Sequence, residues 1–133
     1  MDARLEGRVL EILQGRDVAH VAIARGDGSV QCVIVWAAEE DGMIALNSAV
    51  GRAWPANLRR AGRATVTMMA TGNSNEWASV EARLVEMTED GAREHIDALA
   101  AKYGHPRFTP RSATERRVKL LLRPERIYYL KQG

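Results

Sequence analysis

The sequence predicts a single, mainly β domain with helices, a small antiparallel barrel of six or seven strands whose helices sit at its ends. Three observations carry this prediction. Short β-branched and small apolar runs recur along the chain, several of the turns between them are of hairpin length, and only three stretches repeat their apolar residues at a helical period. The length of 133 residues suits one domain, and 46% hydrophobic residues can fill one core.

Leu5, Val9, Ile12 and Leu13 recur at i, i+4, i+7 and i+8 behind Asp2, a candidate N-cap, so residues 3–14 read as an amphipathic helix ending near Gly15. Residues 18–24 and 30–37 follow as two antiparallel strands, joined by the hairpin signal Gly26-Asp27-Gly28. The tight connection Glu39-Glu40-Asp41-Gly42 leads to residues 43–47, expected as a third strand of the same meander. The period then changes. Trp54, Leu58 and Ala61 lie three or four apart, Pro55 suits a first helical turn, and Gly62 is a stop signal, which predicts a short helix over 51–60.

Residues 63–69 and 77–87 read as two longer strands separated by a polar loop over 70–76. Ser79, Glu81 and Arg83 alternate with Ala78, Val80, Ala82 and Leu84, so one face of the second strand is wet and the other packed. Thr88 is the expected N-cap of a third helix, with Glu89 and Asp90 in its first turn and Ala92, Ile96, Leu99, Ala100 and Tyr103 on its apolar face. A loop with Pro106 and Pro110 precedes two closing strands, 118–122 and 127–130 on either side of Pro124.

Composition removes several classes of function. The longest apolar run, residues 33–38, is far short of the ~20 residues that cross a bilayer, and Arg4, Glu6 and Arg8 occupy the place of a signal peptide's apolar stretch. One cysteine, Cys32, forms no intramolecular disulfide and no thiolate-rich metal site, so the expected compartment is a reducing cytoplasm, with Cys32 expected as a small buried thiol. His20, His95 and His105 have no ligand-type spacing. A net charge of +2, with three Trp, three Tyr and one Phe, offers neither a charged stripe nor a stacking platform for nucleic acid. There is no nucleophile elbow, dinucleotide fingerprint or P-loop.

The informative stretch is 47–60. A strand ends at Asn47-Ser48, Gly51 lets the backbone turn, and a helix begins, so unpaired backbone N–H groups and the positive helix end meet Ser48 and Arg52. That combination suits a phosphate, with the planar fork of Arg52 and the amide of Asn57 as further ligands. A capped surface helix with solvated arginines satisfies the same spacing. Trp36 and Trp77 are candidate walls for a flat ligand or ordinary core residues.

Asn47-Ser48, Gly51-Arg52-Ala53, Asn57-Leu58-Arg59-Arg60, the preceding Val33 to Trp36, the strand from Trp77 to Leu84 and the ending from Arg117 to Tyr128 together resemble the pyridoxamine 5′-phosphate oxidase-like split-barrel proteins. Within them the chain is most similar to the flavin/deazaflavin oxidoreductases that bind the deazaflavin coenzyme F-420. The resemblance implies a split barrel and a homodimer with a cofactor in each of two grooves between subunits. It implies that Ser48, Arg52 and Asn57 hold the cofactor phosphate, with Asn47 and Gly51 also among the cofactor-binding residues, that Gln31 to Val35, Val33 among them, line its ring, and that Trp77 comes from the partner chain. Coenzyme F-420, or alternatively FMN, would pass a hydride to a small organic acceptor. A noncatalytic carrier of a flavin or tetrapyrrole is the reading from another class. The family's lysine two residues after the arginine is Trp54 here, so the phosphate pocket has one cation fewer. Trp54→Lys is therefore expected to tighten binding of the phosphate-bearing cofactor in a salt-sensitive way; an indole packed beside Leu58 would instead make the same change lower the melting temperature.

Overall fold

A computed structural model describes residues 3–132, so the N-cap expected at Asp2 lies outside the described residues. The elements run α1 (Gly7–Gln14), β1 (Ala19–Ala24), β2 (Val30–Val35), β3 (Ala38–Glu40), β4 (Met43–Ala49), α2 (Ala53–Ala61), β5 (Arg63–Ala70), β6 (Asn73–Thr88), α3 (Ala92–Lys102) and β7 (Arg117–Lys131). The seven strands form one antiparallel sheet in the order β2-β1-β5-β6-β7-β4-β3, which curls but does not close, leaving β2 and β3 as edges. This is a split barrel. Its curvature is recorded in the core, because Val21 and Ile23 of β1 share one buried cluster with Ile44 and Leu46 of β4, at the other end of the sheet.

Two long strands make the curl. β6 and β7 pair along nearly their full length, and their register shifts between Glu81 and Ala82 and again between Leu84 and Glu86. Such bulges bend and twist a strand, so its two ends serve two halves of the barrel. Pro124, which has no N–H to give to a ladder, falls beside the first shift and is fully buried there. Residues 118–122 and 127–130, expected as two strands, are therefore one continuous strand.

Four further expectations are corrected. β4 is not the third strand of a β1–β2 meander: it pairs with β3 and β7, while β2 pairs only with β1. The chain leaves β2 at Trp36, whose indole stacks on Tyr103, and Ala37 is tied to the Tyr103 hydroxyl and the Lys102 ammonium, which carries the strand across to the far edge. The polar loop over 70–76 shrinks to a turn at Thr71-Gly72, because Asn73 onward joins the ladder. Glu76 is buried there and receives Arg8 Nε at 2.7 Å, Arg8 Nη2 at 2.8 Å and the Tyr129 hydroxyl at 2.6 Å, partners distant in sequence. α3 is capped by Gly91 in the left-handed region, and Thr88 instead ends β6 and accepts the Asp90 N–H. Cys32 is exposed, since it lies on the outward phase of edge strand β2 with Val30 and Ile34.

α1 begins at Gly7, so Leu5 precedes it but is still buried in the core. α2 ends at Gly62, whose φ of 77° and N–H to Leu58 O bond at 2.8 Å form the expected left-handed stop. No helix among the described residues is long and apolar enough to cross a membrane.

Candidate functional site

The strand-to-helix turn singled out in the sequence is present, and it opens onto a cleft of about 340 Å³. Alternation along β4 sends Leu46 and Ser48 into the barrel, and Asn47 toward α3. Gly51, at φ 96°, turns the chain into α2 in a conformation that L side chains rarely adopt. The N-cap of α2 is Arg52, which makes no side-chain capping bond, and the first turn holds no acidic residue, so the positive helix end stays uncompensated by its own side chains.

Asn47 and Ser48 line the cleft together with Arg52 and Trp54 from the start of α2, and with Arg117 and Phe108. Ile34, Val35 and Trp36 line it from β2 and the residue beyond, and Ile96 and Leu99 from α3. Ser48 is 1% exposed, and its Oγ has no hydrogen-bond partner. A buried hydroxyl without a partner is costly.

Asn47 is held from three sides. Its Nδ2 donates to Ala92 O at 2.9 Å and lies 3.0 Å from His95 Nδ1, while its Oδ1 accepts Arg117 Nε at 2.9 Å. Because a guanidinium only donates, the amide orientation follows, and His95 Nδ1 is the acceptor of the pair. The His95 proton therefore sits on Nε2, which is buried and unpartnered. Burial, assisted by the Lys119 ammonium and opposed by Glu40, pushes the His95 pKa down to about 4. Arg117 also donates from Nη1 to Glu115 at 3.2 Å and stacks its guanidinium 4.5 Å from the Phe108 centroid. Its pKa is lowered chiefly by burial, with Arg52 and Arg93 adding repulsion against the attraction of Glu115.

Of the residues expected at a cofactor, Asn47, Ser48, Arg52, Trp54 and Val35 meet in this cleft. Gly51 does not line it but lines a neighbouring cleft that Arg52 shares, with Pro55, Arg59 and Arg60. Asn57 and Gln31 engage each other instead, the Asn57 Nδ2 donating to Gln31 Oε1 at 2.6 Å, and Val33 packs against the core. Trp77 lies on the outer face of β6 beside Tyr128 and lines a separate cleft with His20 and Met69, and β1 and β5 lie between β6 and β2. Trp54 is 8% exposed and belongs to the core cluster with Leu58, so its indole both walls the cleft and packs. Sequence reasoning missed Phe108, Arg117, Ile96 and Leu99 as lining residues, because their approach depends on α3 and β7 docking beside β4. The one local hint was a paired Arg116-Arg117 opening a strand.

The residues fit an anionic group on a flat ring. Two guanidiniums and an uncapped helix start supply donors, and Trp36, Trp54 and Phe108 supply aromatic surface.

No protein-family model matches the chain, and no curated protein does. Solved structures do. An F420 reductase superposes with a TM-score of 0.82 at 18% identity, over 92% of this chain and 98% of that one. A conserved hypothetical protein from Mycobacterium tuberculosis gives 0.74 at 18% identity, over 98% and 86%. A pyridoxamine 5′-phosphate oxidase-like protein from Listeria innocua gives 0.72 at 14% identity, over 94% and 97%. The chain thus has the split-barrel fold of the pyridoxamine 5′-phosphate oxidase-like proteins, in agreement with the resemblance read from its sequence.

Proposed function

We propose that the protein is a cytoplasmic, homodimeric oxidoreductase that binds the deazaflavin coenzyme F-420 in the cleft at the start of α2 and reduces a small organic acceptor. The observation that carries this reading is the pair of guanidiniums, Arg52 and Arg117, at an uncapped helix start, in a cleft with aromatic walls. Ser48 and Arg52 would hold the cofactor's phosphate, and Ile34, Val35 and Trp36 would meet its ring. The reduced ring supplies the hydride, so the protein's tasks are to bind, orient and shield. The split-barrel fold and its likeness to a structure described as an F420 reductase support the deazaflavin, and FMN would offer its own phosphate to the same donors.

A second copy of the chain would cover the outer face of the sheet. Val30 and Ile34 of β2 and Tyr128 of β7 are 60%, 65% and 55% exposed, and Ile34 also lines the cleft, so exposed apolar side chains reach the edge of the site.

Titration of the purified protein with F-420 and with FMN, followed by fluorescence and absorption, tests the site and the cofactor together. Tight binding of F-420 and oxidation of its reduced form by a panel of electron-poor alkenes or nitro compounds are expected. Binding without turnover would identify a carrier, and binding of neither cofactor would reject the reading. Arg52→Ala should weaken the phosphate-bearing cofactor by about 1.5–3 kcal/mol, the range for a hydrogen bond to a charged group, with the fold retained.

A further inference from the structure

We infer that Arg117 is a second anion-holding residue of this cleft, presenting Nη2 to the phosphate of the bound ligand, so that the site selects phosphorylated over phosphate-free rings. The inference rests on the proposed cofactor reading and extends it to a residue at the far end of the chain.

Arg117 starts β7 directly opposite Ala49, one residue beyond Ser48 on the neighbouring strand, and the Val50 N–H to Arg116 O bond of 2.8 Å locks the two chain segments together. Its side chain is 6% exposed. A guanidinium has five N–H donors on three nitrogens. Nε is used by Asn47 and Nη1 by Glu115, while Nη2 has no acceptor among the described residues. The group is thus fixed from one side and offers its remaining nitrogen to the cleft it lines, with Phe108 stacked on its plane. Such a donor loses little freedom when it binds, because the protein has already ordered it.

One further observation agrees. Arg52 lies near enough for its charge to lower the pKa of Arg117, and an anion between two such cations would relieve that repulsion. An arginine present only to form an ion pair with Glu115 would leave its unspent Nη2 without an explanation.

The test compares FMN with riboflavin, and F-420 with its phosphate-free deazaflavin core, by fluorescence titration. The wild type should prefer the phosphorylated member of each pair. Arg117→Gln should weaken that member by about ten- to a hundredfold and change the phosphate-free member by less than about twofold. Glu115→Gln, which removes the counter-charge and keeps Arg117, should tighten the phosphorylated member and leave the other unchanged. A folded Arg117→Gln with the wild-type preference overturns the inference. If Arg117→Gln does not fold, an unchanged preference in Glu115→Gln overturns it. Inorganic phosphate, followed by melting temperature and by tryptophan emission from the cleft, separates this inference from the cofactor reading. Stabilisation of the wild type that is lost in Arg117→Gln supports Arg117 even if neither flavin nor deazaflavin binds, and no effect of phosphate on the wild type overturns it.

Discussion

Trp54 meets two demands with one side chain: its indole belongs to the buried cluster with Leu58, and the same ring walls the cleft. A lysine there would leave apolar contacts unfilled and place an ammonium where 8% of the present residue is exposed. Trp54→Lys should therefore lower stability by about 3–5 kcal/mol, the range for removing a buried large aromatic, seen as a fall in melting temperature. Cofactor affinity should show no gain that shrinks with salt, and such a gain would restore Trp54 as a substituted binding residue. His95 belongs to the same scale. Burial holds its folded pKa near 4, below its ordinary value of 6.5, so between these limits the unfolded chain binds more protons. Its contribution is complete above about pH 6.5 and is lost as the pH falls toward 4. Urea midpoints at pH 7 and pH 5 should differ by the equivalent of about 1–2 kcal/mol after screening, and His95→Gln should flatten that slope. Lys119 and Glu40 face the same imidazole from β7 and β3, but their charges largely offset each other across a 3.0 Å ion pair.

At the scale of elements, helices and strands were legible wherever local chemistry decides them. The apolar spacing of Trp54, Leu58 and Ala61 and the stop at Gly62 describe α2 as it stands. Since Gly62 has φ 77° with no atom within contact of an added Cβ, Gly62→Ala is opposed by backbone conformation alone. It should lower stability by about 1 kcal/mol in chemical denaturation and leave cofactor affinity unchanged. Elements were misread where distant partners decide. Asn73 to Glu76 look like a loop because they are polar, yet Arg8 and Tyr129 satisfy Glu76 and make a strand of it. Pro124 reads as a break, but a register shift in the partner strand accommodates its missing N–H.

At the scale of the molecule, the exposed apolar side chains Val30, Ile34 and Tyr128 bear on assembly. Sedimentation at micromolar concentration should show a dimer, and Tyr128→Glu, which places a charge where the ring is 55% exposed, should shift it toward monomer. Cofactor binding should weaken with dissociation, and Trp77 emission should respond to the cofactor only in the dimer. A compact wild-type monomer would remove the partner chain from the site.

The sequence by itself determined the mainly β class, the three helices, the hairpin turns and the strand-to-helix turn around Ser48, Gly51 and Arg52, because residue spacing and turn chemistry act over a few positions. It also carried the split-barrel resemblance that superposition with solved structures supports. Only the tertiary structure decided that β4 lies between β3 and β7, that Gln31 and Asn57 satisfy each other, and that Arg117 and Phe108 reach the cleft. Those outcomes depend on which distant surfaces bury one another when the sheet curls, a choice that local spacing does not encode.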